Sequence, residues 1–131
     1  MELERIRAAY ARLQAQADSV VVEGVGGWAA PLSRTLDQAD VVRALDLPVV
    51  LVVGLRLGCL NHALLTAEAV RARGLVLAGW IASRIDPGML SPDDSLDYLR
   101  TRLDAPLLAD IPHLAVPDAS RLAIELPPAW Q

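Results

Sequence analysis

The chain has 131 residues, of which 53% are hydrophobic and 21% are charged, and its formal net charge is −4. This length is typical of a single domain that buries a core, which argues against disorder, and the acidic balance argues against a general nucleic-acid-binding protein. All 12 basic residues are arginine. The sequence therefore excludes, within itself, a GxxxxGK[ST] phosphate-binding loop, a Schiff-base lysine and a lysine acting as acid or base.

Cysteine usage and hydropathy narrow the class of protein further. The single cysteine, Cys59, excludes an internal disulfide and argues against a cysteine-based zinc site. The start of the chain is charged and helical in pattern, unlike a signal peptide. The longest apolar run, around residues 47–55, is shorter than the roughly 20 residues that span a bilayer. We therefore expect a cytoplasmic protein with no membrane segment.

In chain order, the pattern predicts four helices that alternate with four strands. Apolar residues at positions 3, 6, 10 and 13 share one face of a first helix, and the run Val20–Val22 predicts a first strand. Thr35 and Gln38 have capping-box spacing, which predicts that a second helix begins at Thr35. The pattern then predicts strands at 49–53, 77–82 and 107–111. A helix at 61–73, ended by Gly74, lies between the first two of these strands. A last helix begins at Ser91 and Pro92, with Leu96, Leu99 and Leu103 facing inward.

The spacing of the predicted strands indicates the fold class. The strands begin about thirty residues apart, which is the length of a strand-helix-strand unit. Their apolar runs are continuous rather than alternating, which is typical of parallel strands buried on both faces. The sequence thus predicts an α/β protein with a three-layer parallel sheet, organised as one domain over residues 1–131.

Ligands of open α/β sheets bind beyond the carboxyl ends of the strands. This rule nominates four segments: Glu23–Gly27, Gly54–Asn61, Ser83–Arg84 and Pro112–Leu114. Glu23 ends an apolar run and precedes glycines, so its carboxylate is a candidate ligand for Mg²⁺ beside a triphosphate. The alternative is that Glu23 caps a turn and that the glycines only serve the backbone.

The other nominated segments also have structural alternatives. Residues 57–62 lie where a strand leads into a helix, and the amino terminus of a helix can bind a carboxylate or phosphate. The alternative is that Asn61 is only a helix cap and that Cys59 is a packing residue. His62 lacks an evident carboxylate partner, which argues against a catalytic role. Ser83 and Arg84 are candidates for contact with a purine edge, unless Arg84 is simply solvated. His113 either stacks on a base or packs. Trp28, Trp80 and Trp130 are interpreted as packing residues.

Three segments strongly resemble the dethiobiotin synthetases of the biotin pathway. They are VVVEGVGGWAAPLS at 20–33, LPVVLVVGLRLGCLNHALLTAEAVRARGLVLAGWIASRID at 47–86, and APLLADIPHL at 105–114. The stretch GLRLGCLNHALLTAEA is the most specific part, and the likeness is to the second half of that enzyme. The resemblance implies a P-loop NTPase-like fold without its N-terminal Walker strand, and an ATP- and Mg²⁺-dependent carboxylation and ureido ring closure of 7,8-diaminononanoate by a homodimer.

The resemblance also implies roles for individual residues. Glu23 would be a magnesium ligand, and no catalytic residue is carried over. Residues implied to border the triphosphate are Glu23, Gly24, Val25 and Gly26; those implied to line the base are Ser83, Arg84, Pro112, His113, Leu114 and Asp118. Those implied to hold the distal carboxylate of the substrate, across the dimer interface, are Gly58, Cys59, Leu60 and Asn61.

Two departures from the family pattern shape the functional hypothesis. Ser83 stands where the family usually has an asparagine that recognises adenine, so base specificity is an open question. The Walker loop and the lysines of the chemistry belong to the half that is not matched, so we expect little or no catalysis by this chain alone and an exposed apolar sheet surface. The alternative is a non-catalytic binding or dimer-assembly module that complements a separate N-terminal half.

Overall fold

The computed structural model describes residues 2–126 and residue 130, and it forms an open sheet with flanking helices. The elements in chain order are α1 (Leu3–Gln14), α2 (Gln38–Leu45), β1 (Val49–Gly54), α3 (Cys59–Ala72), β2 (Leu77–Ser83), α4 (Pro92–Arg102) and β3 (Leu107–Ile111), followed by a short 3₁₀ turn (Ala119–Arg121). None of the helices in these residues is both long and apolar enough to cross a membrane.

The sheet is three-stranded and parallel, in the order β1-β2-β3. Leu51 pairs with Trp80 between β1 and β2, and Ser83 pairs with Ile111 between β2 and β3. Parallel strands need crossover connections, and α3 and α4 provide them. The predicted α/β class and three of the four predicted strands are therefore confirmed.

The strand predicted at Val20–Val22 does not form. These residues are irregular, and Val21 is 93% exposed. A strand is stable only when a neighbour satisfies its backbone donors and acceptors. Within the described residues β1 is hydrogen-bonded to β2 on one edge and to no strand on the other. The β-branched run thus has the propensity of a strand without a partner to pair with.

The core lies between the sheet and the helices α3 and α4. Trp80, at the centre of β2, is completely buried there, and the predicted inward residues Leu96, Leu99 and Leu103 are all buried. On α3 the small residue Ala67 is buried too, which allows this helix to approach the sheet closely. The packing interpretation of the tryptophans is confirmed for Trp80 and for the half-buried Trp28, whereas Trp130 is exposed.

Side chains alternate between the two faces of β1. Val49, Leu51 and Val53 face the core, whereas Val52 points to the opposite face and is 60% exposed. Gly79, on β2, faces the same way as Val52 and packs against Leu108, because a Cβ added at Gly79 would lie 2.7 Å from the Cγ of Leu108. The sheet is therefore well covered on the helix side and partly open on the other.

Two helix starts differ from the prediction. Helix α2 begins after Asp37 rather than at Thr35, because Asp37 and Asp40 form a reciprocal capping box: the Asp40 N–H donates to the Asp37 carboxylate at 2.8 Å, and the Asp37 N–H donates to that of Asp40 at 3.0 Å. Helix α3 begins at Cys59, and its cap is Gly58 with φ +90° rather than Asn61. Glycine adopts this φ without steric cost, which explains the early start.

Helices α1 and α4 form as predicted, with local differences. The apolar face of α1 contacts α2, but none of its residues is fully buried. Ser91 precedes α4 with Pro92 in its first turn, yet Ser91 has φ +50° and its side chain makes no capping hydrogen bond. Gly74, with φ +75°, follows the end of α3 as predicted, one residue beyond the cap Arg73.

Candidate functional site

The carboxyl ends of β1, β2 and β3 meet at one edge of the sheet, which we call the carboxyl edge. Two backbone hydrogen bonds connect the segments that leave it: Leu55 N–H donates to Ser83 O at 2.7 Å, and Arg84 N–H donates to Ile111 O at 2.9 Å. The structure thus brings together three of the four nominated segments, at residues 54–61, 83–84 and 112–114. This follows from the parallel register, since neighbouring parallel strands end on the same side.

Residues that follow β3 form an open surface beside Ser83. Pro112 and His113 are exposed, and Leu114 and Ser83 are half-buried. Asp118 lies farther along, where its carboxylate accepts hydrogen bonds from the backbone N–H and the hydroxyl of Ser120, at 3.0 and 2.6 Å. Asp118 therefore caps the 3₁₀ turn, and His113 is placed on a surface that a ligand can reach.

The guanidinium of Arg84 is held by two carboxylates. Its Nε and Nη2 donate to the two carboxylate oxygens of Asp110, at 2.9 and 2.8 Å, and Nη2 also donates to Asp93 at 2.6 Å. These hydrogen bonds raise the pKa of Arg84, and the same contact from Arg84 holds the pKa of Asp110 below its ordinary value despite partial burial. Arg84 is therefore bound by two carboxylates rather than simply solvated.

Sequence reasoning missed both partners of Arg84. Asp110 lies on β3 and Asp93 in the first turn of α4, and neither stands out among the acidic residues of the chain. One signal was available: Asp110 is the only charged residue in the apolar strand LLADI. A charge within such a strand needs a partner, but the partner's identity depends on the pairing of β2 with β3.

The amino terminus of α3 lies at the same edge. Gly58 and Asn61 are exposed, Leu60 is half-buried and Cys59 is buried. Cys59 N–H donates to Arg56 O at 3.0 Å, which closes the turn that leads into the helix. No side chain caps this terminus. It therefore faces solvent with the positive end of the helix dipole, which is favourable for an anionic group.

A cleft of about 390 Å³ opens beside this helix terminus. It lies between β1, α3 and the loop at residues 27–28, and its polar lining consists of Arg56, His62 and Thr66. Cys59 also lines it. The segment that follows Glu23–Gly26 contributes to this cleft, because Gly27 and Trp28 line it.

Residues Glu23, Gly24, Val25 and Gly26 form an exposed loop. Gly24 packs closely against Gln38, the first residue of α2, since a Cβ added at Gly24 would lie 3.1 Å from Nε2 of Gln38. Gly26 has φ +75°, a value that favours glycine. Among the described residues, no group of three or more potential ligands of the His, Cys, Asp or Glu type could hold a metal ion. Glu23 therefore offers one carboxylate and no preformed cation site.

Comparison with known proteins identifies the family. The model of a family described as "AAA domain" matches residues 1–121. The ATP-dependent dethiobiotin synthetase of Aromatoleum aromaticum is 61% identical over 93% of this chain and 54% of its own length. Those of Xanthomonas oryzae and Xylella fastidiosa are each 59% identical, over 94% and 86% of this chain and 54% and 50% of theirs. The chain spans about half the length of these relatives. It belongs to the AAA domain family, with a P-loop NTPase-like fold, and its relatives there are dethiobiotin synthetases.

Proposed function

We propose that this chain supplies the nucleotide-base site and the substrate-tail site of a dethiobiotin synthetase. The reaction is the ATP-dependent carboxylation and ureido ring closure of 7,8-diaminononanoate. The observation that carries the proposal is the meeting of residues 83–84, 112–114 and 58–61 at one edge of the sheet, in a chain 61% identical to a relative named for this activity. Binding beyond the carboxyl ends of strands is the rule for this class of fold.

The proposed base site lies between the ends of β2 and β3. Its residues are Ser83, Arg84, Pro112, His113, Leu114 and Asp118. The exposed ring of His113 can stack on a base, the half-buried side chain of Leu114 offers an apolar contact, and Ser83 offers a hydroxyl that can both donate and accept hydrogen bonds. A single hydroxyl discriminates less between bases than a side-chain amide, so we propose a site with modest base preference.

The proposed tail site is the amino terminus of α3, at Gly58, Cys59, Leu60 and Asn61. The backbone N–H groups of the first turn beyond Cys59, whose own N–H is bonded to Arg56 O, are suited to the carboxylate at the distal end of 7,8-diaminononanoate. The terminus is open, and the neighbouring Leu57 is 96% exposed. We propose that a homodimer brings this terminus to the substrate of its partner, and Leu57 would be covered in such a dimer.

The proposed triphosphate border is the loop at Glu23, Gly24, Val25 and Gly26. Magnesium in nucleotide sites is usually bound by one or two carboxylates together with phosphate oxygens and water. One carboxylate from Glu23 fits that pattern only in part, because the described residues contain no group of three or more potential metal ligands. When bound, the ion would neutralise phosphate charge; Glu23 would contribute one oxygen ligand.

The chain is not proposed to close the ring by itself. Phosphoryl transfer depends on cationic groups and metal ions that are arranged together around the phosphates. The sequence has no lysine and no GxxxxGK[ST] loop. We therefore propose binding without appreciable turnover, with the cationic groups supplied by a second polypeptide segment.

A second candidate function is a non-catalytic assembly module. The exposed Val52 and the edge of β1 that pairs with no strand among the described residues favour it, because an unpaired strand edge is a surface for another strand. Both candidate functions allow this chain to form a complex with a separate N-terminal half. Only the first candidate predicts that the complex makes dethiobiotin.

The test is reconstitution. Purified chain is incubated with ATP, Mg²⁺, bicarbonate and 7,8-diaminononanoate, with and without the part of the Aromatoleum aromaticum relative that this chain does not cover, and dethiobiotin is quantified. We expect no product from either polypeptide alone and product from the mixture. Robust turnover by the chain alone contradicts the proposal. A complex seen by size-exclusion chromatography that makes no product supports the assembly module instead.

A further inference from the structure

Arg84, Asp93 and Asp110, which we call the Arg84 cluster, join three elements at the carboxyl edge. Arg84 immediately follows β2, Asp110 lies on β3 and Asp93 lies in the first turn of α4. The pairing of Arg84 with Asp110 uses both carboxylate oxygens, at 2.9 and 2.8 Å. Two parallel hydrogen bonds fix the plane of the guanidinium as well as its position.

The backbone reinforces this arrangement. Arg84 N–H donates to the carbonyl oxygen of Ile111, the last residue of β3, at 2.9 Å. The side chain and the main chain of Arg84 therefore both bind β3. The residue before Arg84 is Ser83, and the residue after Ile111 is Pro112. The cluster thus sets the distance between the two segments of the proposed base site.

Direct contact of the Arg84 guanidinium with a base is disfavoured by the same geometry. Three of its five N–H donors, on Nε and Nη2, are already directed at carboxylates, so only Nη1 could reach a ligand without breaking these hydrogen bonds. Turning the guanidinium toward a ligand would break charge-assisted hydrogen bonds and leave Asp110, which is partly buried, without its partner.

We propose that Asp110 and Asp93 are positioning residues, which hold Arg84 so that Ser83 and residues 112–114 recognise the base and the Arg84 guanidinium does not. This inference rests on the proposed function, since it concerns the nucleotide site at the carboxyl edge. It assigns Asp93 and Asp110 a role in nucleotide affinity without contact with the nucleotide.

The chain contains a matched control cluster. Arg73 donates to Asp37 at 3.0 Å and to Asp40 at 3.1 Å, so it is also an arginine between two aspartates. It joins the end of α3 to the start of α2, and none of its three residues belongs to the proposed base site. Weakening this cluster affects the fold by a similar mechanism and leaves Ser83 and Pro112 in place.

The experiment measures the dissociation constants of ATP and CTP for the 131-residue chain by NMR titration, together with the melting temperature. The variants are Asp110→Asn, Arg84→Lys and, as the control, Asp37→Asn, which keeps a residue suited to helix capping. We expect Asp110→Asn and Arg84→Lys to weaken ATP binding at least five-fold and to bring the two dissociation constants closer together. We expect Asp37→Asn to change ATP binding less than two-fold for a comparable fall in melting temperature.

The two hypotheses for Arg84 predict different effects of Asp110→Asn on ATP binding. If Arg84 contacts the base, Asp110→Asn frees its guanidinium and leaves ATP binding unchanged or tighter, which overturns the inference while the nucleotide site stands. If Asp110→Asn does not fold, Asp93→Asn decides, because it also removes a carboxylate from Nη2 of Arg84 and leaves the guanidinium intact. If the unmodified chain does not bind ATP at millimolar concentration, the proposed site fails first and the inference fails with it.

Discussion

At the scale of single residues, Asp110 makes the stability of the fold depend on pH. Its carboxylate is half-buried and bonded to Arg84, and this bonding lowers its pKa below the ordinary value near 3.9. A carboxyl whose pKa is lower in the folded protein stabilises it at pH values above the unfolded pKa. That contribution is lost as the pH falls through the folded pKa.

We therefore expect the difference in unfolding free energy between the unmodified chain and Asp110→Asn to be constant at neutral pH and to shrink below about pH 4. The measurement is urea unfolding at a series of pH values. The matched control is Asp97→Asn, which removes an exposed ion pair with Arg100 of 3.1 Å and should change stability little at any pH. A difference for Asp110→Asn that grows with acidification would contradict the assignment.

Ser83 and Arg84 show which features of the site can be predicted from the sequence. The sequence predicts Ser83 and Arg84 at the end of a strand, and this is confirmed, because a strand end is visible in the apolar pattern. The partners of Arg84 were not predicted, since Asp110 is 26 residues away and is brought close only by the register of β2 with β3. Contacts of this kind depend on strand pairing, which one sequence does not specify locally.

At the scale of elements, the capping box of α2 shows how local competition decides a boundary. Thr35 and Asp37 are both suitable caps, two residues apart. Asp37 prevails because Asp40 reciprocates its hydrogen bond and because Arg73 binds both carboxylates. The backbone bond to Asp37 is also the main cause that lowers the pKa of Asp40, with Arg73 adding to it.

We expect Asp37→Ala to lower the free energy of unfolding by about 1 kcal/mol, the usual effect of losing a helix cap, as measured by thermal or urea denaturation. The control is Thr35→Ala at the boundary that the sequence favoured, where the side chain is exposed and makes no capping bond to α2. A larger loss for Thr35→Ala than for Asp37→Ala would show that α2 begins at the earlier residue.

The elements that the sequence predicted well share a property. β1, β2 and β3 are largely apolar runs, with Pro48 before β1 and Pro106 before β3, and α4 has its leucines at helical spacing, so each pattern is contained in the segment itself. The run at Val20–Val22 has the same composition and remains irregular, because a strand also needs a neighbour. The cleft beside α3 was missed for a related reason, since its walls come from residues 27–28, β1 and α3 together.

At the scale of the whole molecule, the two ends of the sheet differ. At the carboxyl-terminal end of α3, the guanidinium of Arg73 joins α3 to α2 through Asp37 and Asp40. The carboxyl edge carries the open α3 terminus, the exposed His113 and the cleft. An asymmetry of this kind is expected where one edge is stabilised by closed contacts and the other is available to ligands.

The central claim is that a nucleotide base binds at the carboxyl edge. The most direct measurement is a ¹H–¹⁵N NMR titration of the labelled chain with ATP, in which each amide reports binding at its own position. We expect saturable shifts at Ser83, Arg84, His113 and Leu114, with α1 and the start of α2 unchanged. Shifts confined to α1 and α2, or no saturable shift at millimolar ATP, would contradict the claim.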